Sequence, residues 1–87
     1  MQSPDVKDAK ALDGHRLLVV FANGEEKVFD IKRYLKYPVF HPLTDEKEFK
    51  RFHLVDGTIE WDCGADLSPD TFYLESTPNQ MNSDLAK

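Results

Sequence analysis

The dipeptide Asp56-Gly57, inside the stretch FKRFHLVDGTIEWDCGADLSPDTFY from Phe49 to Tyr73, constrains this chain more than any other feature. A type I′ turn needs positive φ at both central positions, and Asp-Gly is among the few pairs that tolerate it, so the dipeptide predicts a two-residue hairpin. That turn fixes the register. Val55 faces Thr58, Leu54 faces Ile59, His53 faces Glu60, Phe52 faces Trp61 and Arg51 faces Asp62. Strand side chains alternate, so Phe52, Leu54, Ile59 and Trp61 share an apolar face, and the charge pairs Arg51/Asp62 and His53/Glu60 share the wet one. A one-residue slip would turn the apolar set outward, which makes the register strongly specified. After the ribbon, Cys63-Gly64-Ala65-Asp66 leads into a helix start. Ser68 is placed as N-cap, Pro69 at the first helical position, Asp70 near the positive end of the dipole, and Leu67 to staple onto Phe72.

A second hairpin signal, Asn23-Gly24, joins the runs Arg16–Ala22 and Glu25–Ile31. Read as a two-residue loop, it pairs Val19 with Val28 and Leu18 with Phe29. Leu17, Val19, Phe21 and Val28 then fall on one face, and Leu18, Val20 and Phe29 on the other. Helices in a chain this short can hardly cover both faces, so one of the two sets is expected to remain as an interaction surface. Asp5–Leu12 is a weaker strand, turned by Asp13-Gly14. Ile31–Lys36 predicts a short helix stopped by Pro38, and Val39–Leu43 an extended connection. Thr44 or Asp45 caps a second short helix to about Arg51, and Pro69–Glu75 is the last. The reading is α+β: a meander-like antiparallel sheet of about five strands built from two hairpins, with two or three short helices. Residues 5–75 form one domain and 76–87 a polar tail, whose Met81 and Leu85 could cover a sheet face.

Eighty-seven residues at 40% hydrophobic content make one thin core. A single cysteine gives neither an internal disulfide nor a zinc quartet and suits a reducing compartment. The segment MQSPDVKD has no basic, apolar leader, and no run nears the roughly 20 apolar residues of a membrane span, so the expectation is a soluble cytoplasmic protein without membrane contact. A formal charge of −5 opposes direct nucleic-acid binding, where lysine and arginine must displace counterions. Its one counter-signal is a basic patch at Lys32, Arg33 and Lys36, read first as a solvated helix face.

Chemistry-bearing residues are few. Trp61, Gly64 and Asp66 could form a turn or ligand clamp, although Trp61 reads as core and Asp66 as a turn carboxylate bonding backbone amides. Glu60 and Asp62 share a strand face, as a carboxylate pair might in a glycosidase, but His53 and Arg51 stand ready to neutralise them. His15, His41, His53 and Cys63 have no metal-ligand spacing, and Asp62 beside Cys63 opposes a thiolate. No phosphate loop or triad order is present. The expectation is no catalysis and no cofactor.

Taken in order, FANGEEKVFD, IKRYLKYPVFHPLTDEKEFK and HLVDGTIEWDCGADLSPDTFY resemble the bacterial domain-of-unknown-function family 2442. The resemblance covers about residues 5–75 and is most specific in the string from Trp61 through Gly64 and Asp66 to Pro69 and Asp70. Phe21, Asn23, Gly24, Asp30, Leu35, Val39, Phe40, Pro42, Leu43, Phe49, Gly57 and Thr58 also fall on the family pattern. Asp62-Cys63 departs from it, standing where the family usually has proline and a small polar residue. The resemblance implies a small α+β domain with an antiparallel sheet. Some members carry a C-terminal helix-turn-helix, and the dozen or so residues after the last helix here are expected to be too few for one. Others sit beside a second small gene and look like antitoxin-type partners. The functional expectation is therefore a small protein-interaction module whose partner is itself or a small neighbouring protein. The alternative is a regulator-like dimer that uses the basic patch, and an enzyme ranks third.

Overall fold

Apolar side chains alternate inward along Arg16–Phe21, and this strand, β2, is central in a four-stranded antiparallel sheet. Val6–Leu12 (β1) lies on one side of it; Glu26–Asp30 (β3) lies on the other and is followed by the two-residue Thr77–Pro78. A second antiparallel sheet holds Phe52–Val55 (β4), Thr58–Trp61 (β5) and Asp66–Leu67 (β6) in that order, and Thr77–Pro78 is numbered β7. The structure, a computed structural model, describes residues 3–78. Met81 and Leu85 lie outside the described residues. The class is α+β, as expected from sequence, but the two hairpins occupy separate sheets. The Val6 N–H donates to the Gly57 carbonyl at 2.8 Å, which ties the first strand to the turn of the second hairpin.

The second hairpin has the register read from sequence, with Phe52 opposite Trp61 and Leu54 opposite Ile59. Asp56 and Gly57 take φ of 51° and 78°, the two positive values of a type I′ turn. The first hairpin differs by one residue. The Phe21 N–H donates to the Glu25 carbonyl and the Gly24 N–H to the Phe21 carbonyl, so the loop has three residues, Ala22 to Gly24. Only Gly24 has positive φ there, at 93°. This is a turn closed by a glycine bulge, and it pairs Leu17 with Phe29 and Leu18 with Val28. Phe29 therefore joins Leu17, Val19 and Phe21, and Val28 joins Leu18 and Val20. The expected pairing fails because Asn-Gly serves either loop length, and one residue exchanges the faces of the whole strand.

Between the sheets, Ile31–Tyr34 and His41–Thr44 are 3-10 turns, and Glu46–Phe49 (α1) is one short helical turn. Val39–Leu43 is thus not the extended connection expected: Pro42 opens the second 3-10 turn and buries Leu43. Asp45 caps α1, accepting from the Lys47 N–H at 2.9 Å. Pro69–Glu75 (α2) has its predicted bounds, with the Ser68 hydroxyl accepting from the Thr71 N–H at 3.2 Å. The chain stays folded beyond residue 75, because Ser76 is buried and Thr77 pairs with Val28.

One core serves both sheets. Leu17, Val19, Phe21 and Phe29 from the first sheet meet Ile59 and Trp61 from the second, closed in by Ile31, Leu43, Phe49 and Phe72. Each of these is inaccessible to solvent.

Two substitutions test the local determinants. Ser68→Ala should cost about 1 kcal/mol through the lost cap. Gly57→Val should cost about 2 kcal/mol. It forces a β-branched residue to positive φ and brings its Cβ within 2.6 Å of the Asp5 carboxyl carbon. Urea melts followed by the single tryptophan check both, and a neutral Gly57→Val would refute the turn assignment.

Candidate functional site

The two faces of the first hairpin meet different surroundings. Its face of Leu17, Val19, Phe21 and Phe29 is consumed by the core. The opposite face keeps Leu18, Val20 and Val28 half-buried. Charged strand neighbours close round them: Leu18 lies beside Lys10, and Val20 between Asp8 and Glu26.

The basic patch is largely neutralised. Lys32 pairs with Asp30 at 3.2 Å and donates to the Gly14 carbonyl at 2.8 Å, while Arg33 is held by Glu75. Lys36 instead lies over the exposed Tyr37 ring, 5.4 Å from its centre. The three cations therefore serve three different local contacts and share no anion site.

Of the two readings for Trp61, Gly64 and Asp66, the structure contains the turn. Trp61 is fully buried, its indole N–H donating to the Phe49 carbonyl at 2.8 Å. Gly64 takes φ of 99° in a turn that repeats the first hairpin's: the Trp61 N–H bonds the Ala65 carbonyl, and the Gly64 N–H bonds the Trp61 carbonyl. This fold-back creates β6, and Asp66 sits in it with its side chain exposed, opposite Glu60. It does not bond the turn amides as expected.

On the wet face of the second hairpin His53 lies between two carboxylates, Nε2 at 3.2 Å from Glu60 and Nδ1 at 3.3 Å from Asp62. The sequence pairs Arg51 with Asp62, but Arg51 turns back to Glu48 at 3.4 Å and Asp62 reaches diagonally to His53. Among the described residues no three His, Cys, Asp or Glu side chains are placed to hold a metal ion. His15 Nε2 bonds the Thr44 carbonyl at 3.0 Å, a structural use that fixes the loop over Phe49. His41 and Cys63 are exposed.

Two features escape the sequence reading. One is a set of large apolar side chains left in solvent: Tyr37 and Val39 on the connection, Leu54 and Val55 on β4, and Leu74 on α2, the last 72% exposed. Leu54 has the predicted register, yet β4 is an outer strand and its far side is open. The other is a polar latch between α2 and the first hairpin. The Tyr73 hydroxyl donates to Glu25, whose carboxylate also accepts from the Asn23 amide at 2.8 Å. Lys27 lies over the Tyr73 ring at 3.9 Å and donates to the Tyr73 carbonyl at 3.0 Å. These residues are 46 to 48 positions apart, so no local motif joins them.

The family model described as "Protein of unknown function (DUF2442)" matches residues 6–78. The chain belongs to this family. No curated protein and no solved structure is similar enough to match. The DUF2442 match begins at the first residue of β1 and ends at the last of β7, so the family pattern spans both sheets. No described helix of this DUF2442 chain is long and apolar enough to cross a membrane.

The latch makes stability depend on pH at both ends of the scale. The Tyr73 hydroxyl and the Asn23 amide hold the Glu25 carboxyl below its ordinary range. That contribution is present above the unfolded value and is lost as pH falls through the lowered folded one. The bond to Glu25 raises the Tyr73 phenol, whose contribution is present below the ordinary tyrosine range and is lost as pH climbs through the raised value. Tyr73→Phe should therefore lower Tm at neutral pH. The gap to the natural chain should narrow on acidification, as Glu25 protonates, and again in strong alkali. Thermal melts across pH check this, and a gap independent of pH would refute the latch.

Proposed function

We propose that this DUF2442 domain is a protein-interaction module without catalysis, of the kind an antitoxin-like partner of a small neighbouring protein would use. The observation that carries the reading is the set of exposed large apolar side chains, Tyr37, Val39, Leu54, Val55 and Leu74, on a chain whose core is already filled. Each such side chain in solvent leaves apolar area that a partner's surface would remove from water. The formal charge of −5 favours a basic partner, whose approach it would accelerate and whose binding it would make salt-sensitive. The neutralisation of Lys32 and Arg33 takes support from the nucleic-acid alternative.

The test is co-expression with the product of an adjacent short, basic reading frame, followed by co-purification and titration of the separated proteins. A one-to-one complex is expected, weakened about tenfold by Val39→Asp in the exposed connection. A complex indifferent to every exposed apolar residue, or no complex in titrations up to about 100 μM, would overturn the reading.

A further inference from the structure

The strand β4 is an outer strand with an open side. Its odd-numbered residues face β5: Val55 closes the two-residue turn against Thr58, His53 lies opposite Glu60, and the Arg51 carbonyl accepts from the Asp62 N–H at 2.8 Å. In an antiparallel ladder the alternate residues turn their backbone groups the other way, so Phe52 and Leu54 direct N–H and C=O to the open side. Among the described residues neither has a backbone partner there.

The remaining outer strands are poor pairing templates. In β1 the ladder is broken by an extra residue at Lys7, and exposed Lys7, Asp8 and Lys10 line it. Lysines and bulges of this kind blunt an edge. The strands β6 and β7 have two residues each. In contrast β4 has an unbroken register and no proline, lysine or arginine, and leaves Leu54 41% and Val55 37% exposed.

We propose that β4 pairs antiparallel with β4 of a second copy of this chain, fusing two three-stranded sheets into one of six. This goes beyond the reading above, because it needs no second protein species and concerns one edge. A twofold axis through such a pair must set one residue opposite itself. With His53 at the centre, Phe52 faces Leu54 of the second copy, and the two exchange both backbone bonds. Leu54 faces the second copy's Phe52 in the same way. These contacts continue the apolar face that Phe52 and Leu54 share with Ile59 and Trp61 and cover the exposed Leu54. Centring on Phe52 or on Leu54 instead would leave the other of these two with no strand residue of the second copy opposite it, so apolar matching selects His53. Four strand residues per copy make a small contact, and the dimer is expected to be weak and concentration-dependent.

Sedimentation equilibrium of the full chain, from about 1 μM to 1 mM, tests the association. The mass should rise from monomer toward dimer. Leu54→Lys should raise the dissociation constant about tenfold by removing two apolar cross-strand pairs. Val20→Lys, on the outer face of the other sheet, should leave it unchanged. A second measurement tests register without relying on that lysine. In a Cys63→Ser background, His53→Cys should crosslink to a dimer under mild oxidation. Opposed residues at a non-hydrogen-bonded position have Cα atoms about 4.5 Å apart, within disulfide reach. Val55→Cys should not crosslink. A monomer throughout the range, association unaffected by Leu54→Lys or abolished by Val20→Lys, or crosslinking through Val55→Cys instead of His53→Cys would each overturn the proposal. Retention of the basic partner by a Leu54→Lys monomer would separate this edge from the heteromeric reading.

Discussion

The fold depends on one bond from a buried indole. A tryptophan in a dry core must place its N–H on an acceptor or lose more than a kilocalorie per mole or so. Here Trp61 uses the carbonyl of Phe49 at 2.8 Å, at the end of α1. That choice holds the connection onto the second sheet and sets the ring among three others. Phe49 stacks at 6.1 Å, Phe72 lies tilted at 6.2 Å, and Phe40 meets it edge-on at 6.5 Å. Three rings, Phe40 from the connection, Phe49 from α1 and Phe72 from α2, thus converge on a single side chain.

Around that centre the same turn is used twice. Phe21-Ala22-Asn23-Gly24-Glu25 and Trp61-Asp62-Cys63-Gly64-Ala65 each start at a buried aromatic, carry glycine three residues later in the left-handed region, and close with the same two backbone bonds. The aromatic anchors the turn from below while the glycine relieves it above, since a side chain at φ near 95° would be strained. The departure of Asp62-Cys63 from the usual family residues falls at the two positions whose side chains point to solvent, and the turn forms regardless.

What the sequence revealed followed from how many structures each local signal permits. In the second ribbon Asp-Gly and the apolar alternation agree on one register, so the pairing of Phe52 with Trp61 and of Leu54 with Ile59 was legible. Ser68-Pro69 likewise bounded α2. Asn-Gly permits two loop lengths, and the wrong one moved Phe29 from the core to the surface. No Asn-Gly or Asp-Gly pair marks the turn from Trp61 to Ala65, so β6 was not legible. Which of two paired apolar residues is covered was not legible: Leu54 and Ile59 are indistinguishable in pattern, and strand order leaves one open and the other sealed. Contacts such as Lys27 with Tyr73 needed the tertiary fold, since nothing within a few residues of either predicts them.

The way the last helix closes the core has a consequence for synthesis. The inner face of the first hairpin is complete once Phe29 leaves the ribosome, but Phe72 and the strand at Thr77 that help cover it come more than forty residues later. At roughly 5–20 residues per second, translation leaves that face without α2 for a few seconds. During this interval Phe29 and Phe21 lack the Phe72 and Tyr73 rings that finish covering them. The half-made protein is therefore the form most in need of a chaperone, and a chain truncated before α2 would expose to the cell the residues that the finished molecule hides.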